Sequence, residues 1–352
     1  MKILVTGISG FVGFNITLNL IRSHPDFKIT GIDNFSRKGS ESNIRTLQNE
    51  RINLIRGDVR VQSDIDSIPE VDWVIDCAAN PSVLAGVDGQ VSSRQLIEHN
   101  LLGTINLLEL CKRYRAGLIL LSTSRVYSAR KLADIRVIAK DDAYSFDSLD
   151  STGMSSKGIS EDFPTHSPIS LYGASKLASE TIILEYGNCF DFPVWINRCG
   201  VLAGAGQFGK ADQGIFSFWI HSFFEKKPLK YIGFKGSGLQ VRDALHPRDL
   251  LPLLLRQMQE PNRKVPKIIN LGGGLKNSMS LKQLTSWCEE RFGPNKVLAS
   301  REDRPMDAPW IIMDSSMARD IWDWTPETTI VEILKEISKH AEANPHWLGS
   351  TN

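Results

Sequence analysis

The chain has 352 residues, with 41 basic against 40 acidic side chains and a formal net charge of +1. That balance gives no broad attraction to nucleic acid or to a membrane surface, and the length suffices for one large or two moderate domains with a buried core. Five scattered cysteines without a CxxC pair, seven histidines without HxxxH or HExxH spacing, and no run near the roughly 18 apolar residues of a spanning helix argue for reduced thiols, no metal centre and no membrane span. The first predicted element is a strand at 2–6, which leaves no room for a signal peptide, so a cytoplasmic protein is expected.

Gly7, Gly10 and Gly13 follow at three-residue spacing, with Phe11 and Val12 between the last two. A helical pattern with apolar Phe14, Leu18 and Ile21 comes next. Strand, glycine turn and helix let the backbone approach a pyrophosphate and set its charge on a helix N-terminus. A second strand at 28–33 ends in Asp33, followed by Asn34. A carboxylate there accepts hydrogen bonds from the adenosine ribose and repels a 2′-phosphate, so NAD is the expected cofactor. Arg37 and Lys38 lie close enough to tolerate a phosphate.

Further strands are predicted at 52–59, 73–79, 117–124 and 194–200, alternating with helices at 91–114 and 171–188. This order predicts an α/β fold with a doubly wound parallel Rossmann sheet, helices on both faces and ligands at the carboxyl ends of the strands. Asp58 and Val59 end the third strand, where a side chain could meet the adenine edge. Ala78 and Ala79, after the fourth, would pass beside the cofactor, and Asn100 falls in the long helix that follows.

Two segments break the rhythm. Residues 128–168 are long, polar and serine-rich, the mark of a lid or a partly disordered insert. Residues 203–214 are glycine-rich and lead into a helix at 215–225. Beyond it lie shorter strands (229–234, 267–271, 297–300) and helices (247–259, 280–292, 329–344). An NAD-binding domain is therefore expected over 1–200 and a smaller α/β substrate domain over 201–352, with some elements interleaved.

Tyr172 and Lys176 stand four residues apart, on one face of a helix. A lysine so placed holds the nicotinamide ribose and, with the positive nicotinamide, depresses the phenol. The phenolate can then take a proton from a sugar hydroxyl as hydride leaves the carbon. A hydroxyl from the end of the fifth strand (Ser122, Thr123 or Ser124) can bond the reacting oxygen.

With the glycine turn, Asp33, the Ser-Thr strand end and the Tyr172–Lys176 pair, the chain resembles the extended short-chain dehydrogenases/reductases, specifically the nucleotide-sugar epimerases and dehydratases, over essentially its whole length. The resemblance implies Thr123, four residues before Tyr127, as the catalytic hydroxyl, Ser122 beside the cofactor, and a nucleotide-diphosphate sugar as substrate. Dehydratases of this kind carry Asp-Glu directly after the threonine, and uronic-acid decarboxylases carry a glutamate at the second place. Here Ser124 and Arg125 stand, which implies transient oxidation, rotation of the keto-sugar and re-reduction, the chemistry of an epimerase. Residues 33–39, 166–168, 207–208, 212–214 and 238–246 look like those of the CDP-paratose 2-epimerases (CDP-tyvelose epimerases). That likeness implies Arg242 and Arg301 on the diphosphate, Gln207 and Asp212 near the nucleotide or sugar, Arg198 near the sugar, C2 as the reacting carbon with C4 the alternative, and a homodimer. A diphosphate outside the glycine turn also needs guanidinium forks on physical grounds.

Overall fold

The computed structural model describes residues 1–352 except 51, 88, 90, 91, 148–151, 212 and 352. Val91, the expected start of the long helix, and Asp212, expected near the substrate, thus lie outside the described residues.

The main sheet is built from β1 (Lys2–Thr6), β2 (Lys28–Asp33), β3 (Asn53–Arg56), β4 (Trp73–Asp76), β5 (Gly117–Thr123), a sixth strand (Val194–Cys199) and a seventh (Ile268–Leu271). All neighbours run parallel, in the order seventh, sixth, β5, β4, β1, β2, β3. The order reverses between β1 and β4, and a ligand seated at that switch meets the carboxyl ends of both. Near-continuous apolar runs such as Ile3, Leu4 and Val5 are wholly buried, as a sheet covered on both faces requires.

One face packs under helix α1 (Phe11–Ser23) and the helix Leu251–Gln259, in a core that includes Ile16, Leu20, Leu251 and Leu254. Asn197 and Gln257 exchange two side-chain hydrogen bonds of 3.0 Å each, fixing the second helix to the sixth strand. The other face packs under Gly103–Tyr114 and Leu171–Phe190 through Leu107, Leu110 and Ile183. The expected helix over 91–114 is not uniform: Ser93–Ile97 is α-helical, Glu98–Leu102 widens into a π turn, and Gly103–Tyr114 resumes the α pitch.

A second, smaller sheet centres on Val241–Leu245, flanked on one edge by Val201–Leu202 and Trp310–Ile311 and on the other by Ser278–Ser280. Behind it pack Ile215–Phe224, Leu281–Phe292 and Ile330–Ala343. Ser280 and Thr329, read from sequence as first helical residues, are N-caps in capping boxes with Gln283 and Glu332. Two features differ from the sequence reading. The strand near 267–271 forms, yet it pairs with the sixth strand of the main sheet rather than belonging to the second layer. The described residues of the insert carry two strand pairs: Val137–Lys140 pairs with Ala143–Phe146, Met154–Ser155 pairs with Gly158–Ile159, and Ile159 and Phe163 join a core with Trp310 and Met313. Its strands are short, and their apolar partners lie more than a hundred residues away in sequence. Among the described residues no helix is long and apolar enough to cross a membrane.

Candidate functional site

The glycine turn is tight for steric reasons. Gly7 has φ +58°, and a Cβ there would lie 3.1 Å from the Ala78 backbone. A Cβ at Gly13 would come within 2.4 Å of the Gly7 carbonyl oxygen. Gly10 caps α1 without a side chain, and Phe11 and Val12 form its first turn, so the N–H groups there are left for a ligand. Ser9 Oγ, inside the turn, is buried without a hydrogen-bond partner.

Asp33 faces this turn, accepting from Ser9 N (2.9 Å) and Phe35 N (2.8 Å). Burial pushes its carboxyl up, and the N–H groups of Phe35, Ser9 and Gly10 pull it back. Asn34 donates to Asp58 (2.8 Å), which also pairs with Arg60. Burial opposes ionisation of Asp58, but the bonds from Arg60 and Asn34 prevail and hold it well below the usual carboxylate range. Val59 turns its side chain onto Gly103, and its carbonyl accepts from Asn106. Arg37 does not face the ribose side: its guanidinium reaches Phe208 O and Gln213 Oε1.

Thr6 Oγ1 receives the N–H groups of Cys77 (3.1 Å) and Ala78 (3.0 Å), which fixes the chain running on to Ala79 and Asn80 after β4. From the π turn, Asn100 accepts from Asn80 N (2.8 Å) and donates to Asn80 O and to Ser175 Oγ (3.0 Å). One buried amide thereby ties the β4 loop to the helix that carries Tyr172.

That helix, Leu171–Phe190, starts at Ser170, whose hydroxyl accepts from Gly173 N. Tyr172 and Lys176 face inward, 7% and 1% exposed. Burial pushes the phenol up to about 12, and the neighbouring Thr123 hydroxyl and the charge of Arg125 work against it. Lys176 is pushed down by burial, with Asp76 and Glu180 opposing. Its ammonium makes no hydrogen bond among the described residues, so ribose hydroxyls would complete an arrangement the chain leaves open. Together with the Ser9 hydroxyl and the uncapped helix, this fits a dinucleotide.

Two expected site residues are spent elsewhere. Ser122 donates to Glu180. Arg198 is 5% exposed, forks onto the same carboxylate (2.7 Å), and donates to Tyr127 OH. Both belong to a buried polar network centred on Glu180. Gln207 is held by its own loop: Nε2 donates to Leu202 O, Oε1 is buried without a partner, and the backbone carbonyl accepts from Trp347.

The arginine expectations are also revised. Arg242 is part-buried and pairs with Asp307 (2.6 Å). Arg301 is exposed and makes no hydrogen bond among the described residues, whereas Arg304 acts on both Arg125 and Arg242. The sequence reading missed Arg125, Arg304 and Asp307. Arg125 registers in the sequence only as a missing acid. Glu180, also missed, carries a legible signal, since it lies four residues past Lys176 and eight past Tyr172 on one face.

Comparison with known proteins matches residues 3–272 to the NAD dependent epimerase/dehydratase family. The chain is 27% identical to CDP-paratose 2-epimerase of Salmonella typhi, covering 94% of this chain and 96% of that one. It is 26% identical to UDP-glucuronate 4-epimerase of Thermodesulfobacterium geofontis, covering 97% and 96%. Among solved structures, UDP-glucuronic acid 4-epimerase from Bacillus cereus, in complex with UDP-glucuronic acid and NAD, superposes with a TM-score of 0.79 at 25% identity over 97% of this chain and 99% of that one. The chain belongs to the NAD dependent epimerase/dehydratase family, and its cofactor is NAD.

Proposed function

We propose that this protein epimerises a nucleotide-diphosphate sugar, in the manner of CDP-paratose 2-epimerase, by transient oxidation to a keto-sugar and re-reduction on the opposite face. One observation carries the reading: a buried phenol beside the Thr123 hydroxyl, one helical turn from a buried ammonium that makes no hydrogen bond among the described residues, at the carboxyl ends of β4 and β5. Bound NAD supplies the hydride acceptor and returns the same hydride. Tyr172 as phenolate takes the hydroxyl proton while that carbon gives up its hydride, and Thr123 holds the oxygen. The proton then goes back from Tyr172 to the oxygen as hydride reaches the other face, so nothing is consumed. Lys176 holds the nicotinamide ribose.

Arg125, Arg242 and Arg304 gather beside Asp307, and such a cluster of guanidinium forks suits a diphosphate. No carboxylate follows Thr123, which favours epimerisation over elimination of water. The Salmonella relative supports C2 as the reacting carbon and the 4-epimerases support C4. On this reading residues 1–200 chiefly bind NAD and 201–352 the nucleotide sugar. Exposed Leu102, Leu171 and Phe190 on the paired helices support a homodimer, to be checked by light scattering, and five unpaired cysteines suit the cytoplasm.

The test is turnover in deuterium oxide of CDP-paratose, UDP-glucose and UDP-glucuronate, read by NMR. An epimer without carbon-bound deuterium is the expected product. Stoichiometric deuterium in the sugar would overturn the mechanism in favour of elimination, and accumulation of reduced NAD would mark a net dehydrogenase.

A further inference from the structure

We propose that Arg37 is a positioning residue for the cofactor: it ties the run 203–214 across the cleft that receives NAD, so that the cofactor enters and leaves when this tie opens. The proposal concerns NAD alone and holds for any sugar.

The near end of the run lies against the pyrophosphate turn. Ala203 N donates to Leu245 O (3.0 Å), and Gly204 is packed so closely that a Cβ there would lie 3.2 Å from the ring of Phe11, the first residue of α1. Farther along, the run reaches the ribose side. The Arg37 guanidinium, four residues past Asp33, donates to Phe208 O and to Gln213 Oε1 (3.4 Å). Phe11 stands at the helix end where the pyrophosphate charge belongs, and Asp33 takes the adenosine ribose. A run fastened near both points spans the path of the dinucleotide from one to the other.

Each side of the tie is built in advance. Ser36 N donates to Asn34 Oδ1 (2.9 Å), Ser40 N to Arg37 O (3.0 Å) and Asn43 Nδ2 to Ser9 O (2.9 Å). The turn that carries Arg37 is therefore fixed to the ribose loop before it and to the glycine turn after it. On the other side, Gly209 N donates to Gln207 O (2.9 Å), and Lys210 and Gln213 exchange backbone bonds of 2.7 and 3.1 Å. Phe208, 4% exposed, stacks on Trp347 with ring centroids 5.5 Å apart, and Trp347 Nε1 donates to Gln207 O (3.0 Å). The fork of Arg37 joins these two preformed pieces by charge-assisted bonds to two acceptors at once. Loss of such a tie frees the loop without removing a contact to the cofactor, and a freed loop speeds passage in both directions.

The experiment follows NADH fluorescence in the full chain stripped of nucleotide, by rapid mixing for association and by a chase with excess NAD for release. Arg37→Met should raise the release rate about tenfold, the scale for one lost charge-assisted bond, and should raise the association rate with it. Faster release at an unchanged association rate would mean that Arg37 touches the cofactor itself, and unchanged release would mean that the run is no barrier. Either result overturns the proposal. Trp347→Leu loosens the same run from the opposite side and should speed both rates as well. It stands in if Arg37→Met misfolds by circular dichroism, and a folded Trp347→Leu protein with neither rate altered would also overturn the tie. No sugar enters the experiment, so absence of turnover on every nucleotide sugar would sink the proposed function and leave this result standing.

Discussion

Burial sets the chemistry of Tyr172 before any ligand arrives, because a phenol pushed to about 12 is a poor base at neutral pH and needs a cation to become a good one. Tyr172→Phe is expected to lower turnover by about two orders of magnitude or more, the usual scale for a lost general base, with NAD binding intact by calorimetry. Arg242→Ala and Arg304→Ala should raise KM more than they lower kcat, by about ten- to a hundredfold for one lost charge-assisted contact. Arg301→Ala should change neither in the same steady-state assay, since that side chain is exposed. The Tyr172–Lys176 pair was legible because helical spacing is local. The place of Arg304 beside Arg125 was not, because it depends on which side of an irregular loop faces Arg125. The Glu180 bonds of Arg198 and Ser122 were hidden for a related reason: a polar residue at a strand end reads alike whether it faces a ligand or a buried partner.

At the scale of elements, sequence spoke clearly where a strand is a continuous apolar run between turns, as in β1 and β5, and poorly where strands are two to four residues long, as in the insert. The π turn at Glu98–Leu102 was silent too, since its cause is tertiary: it turns Asn100 toward Asn80 and Ser175. The packing of Ile215–Phe224 on Ile330–Ala343 brings His221 Nε2 within 3.3 Å of His340 Nδ1. Burial, with His340 adding to it, draws His221 from its ordinary 6.5 down to about 3; burial depresses His340 as well. Between these values the unfolded chain binds a proton that the folded one does not, so stability is full above pH 6.5 and falls as pH drops toward 3. The loss from His221 should be about 2 kcal/mol by about pH 5. Thermal melts across this range should therefore decline less steeply in His221→Leu than in the parent protein.

For the whole molecule, NAD should act as a fold ligand, adding about 2.7 kcal/mol at a hundredfold excess over its Kd. Differential scanning fluorimetry should register a rise in Tm with NAD and a smaller one with NADP, because Asp33 faces the adenosine side and Arg37 is engaged elsewhere. Sheet order was the least legible feature. Periodicity marks a strand near 268–271 but carries no information about its neighbour, and pairing with Val194–Cys199 is decided across seventy residues. A fragment ending at residue 200 should accordingly fail to give a cooperative melt by circular dichroism, having lost the seventh strand and the helix Leu251–Gln259 that covers α1.

The return of the chain to its first sheet also bears on redesign. A recombinant hybrid joined near residue 200 would import a foreign edge strand and a foreign cover for the cofactor half along with any new sugar preference. The portable units are the stretches that reach the arginine cluster without entering either sheet, residues 124–125 and 301–309, which can be exchanged while every strand keeps its native neighbour.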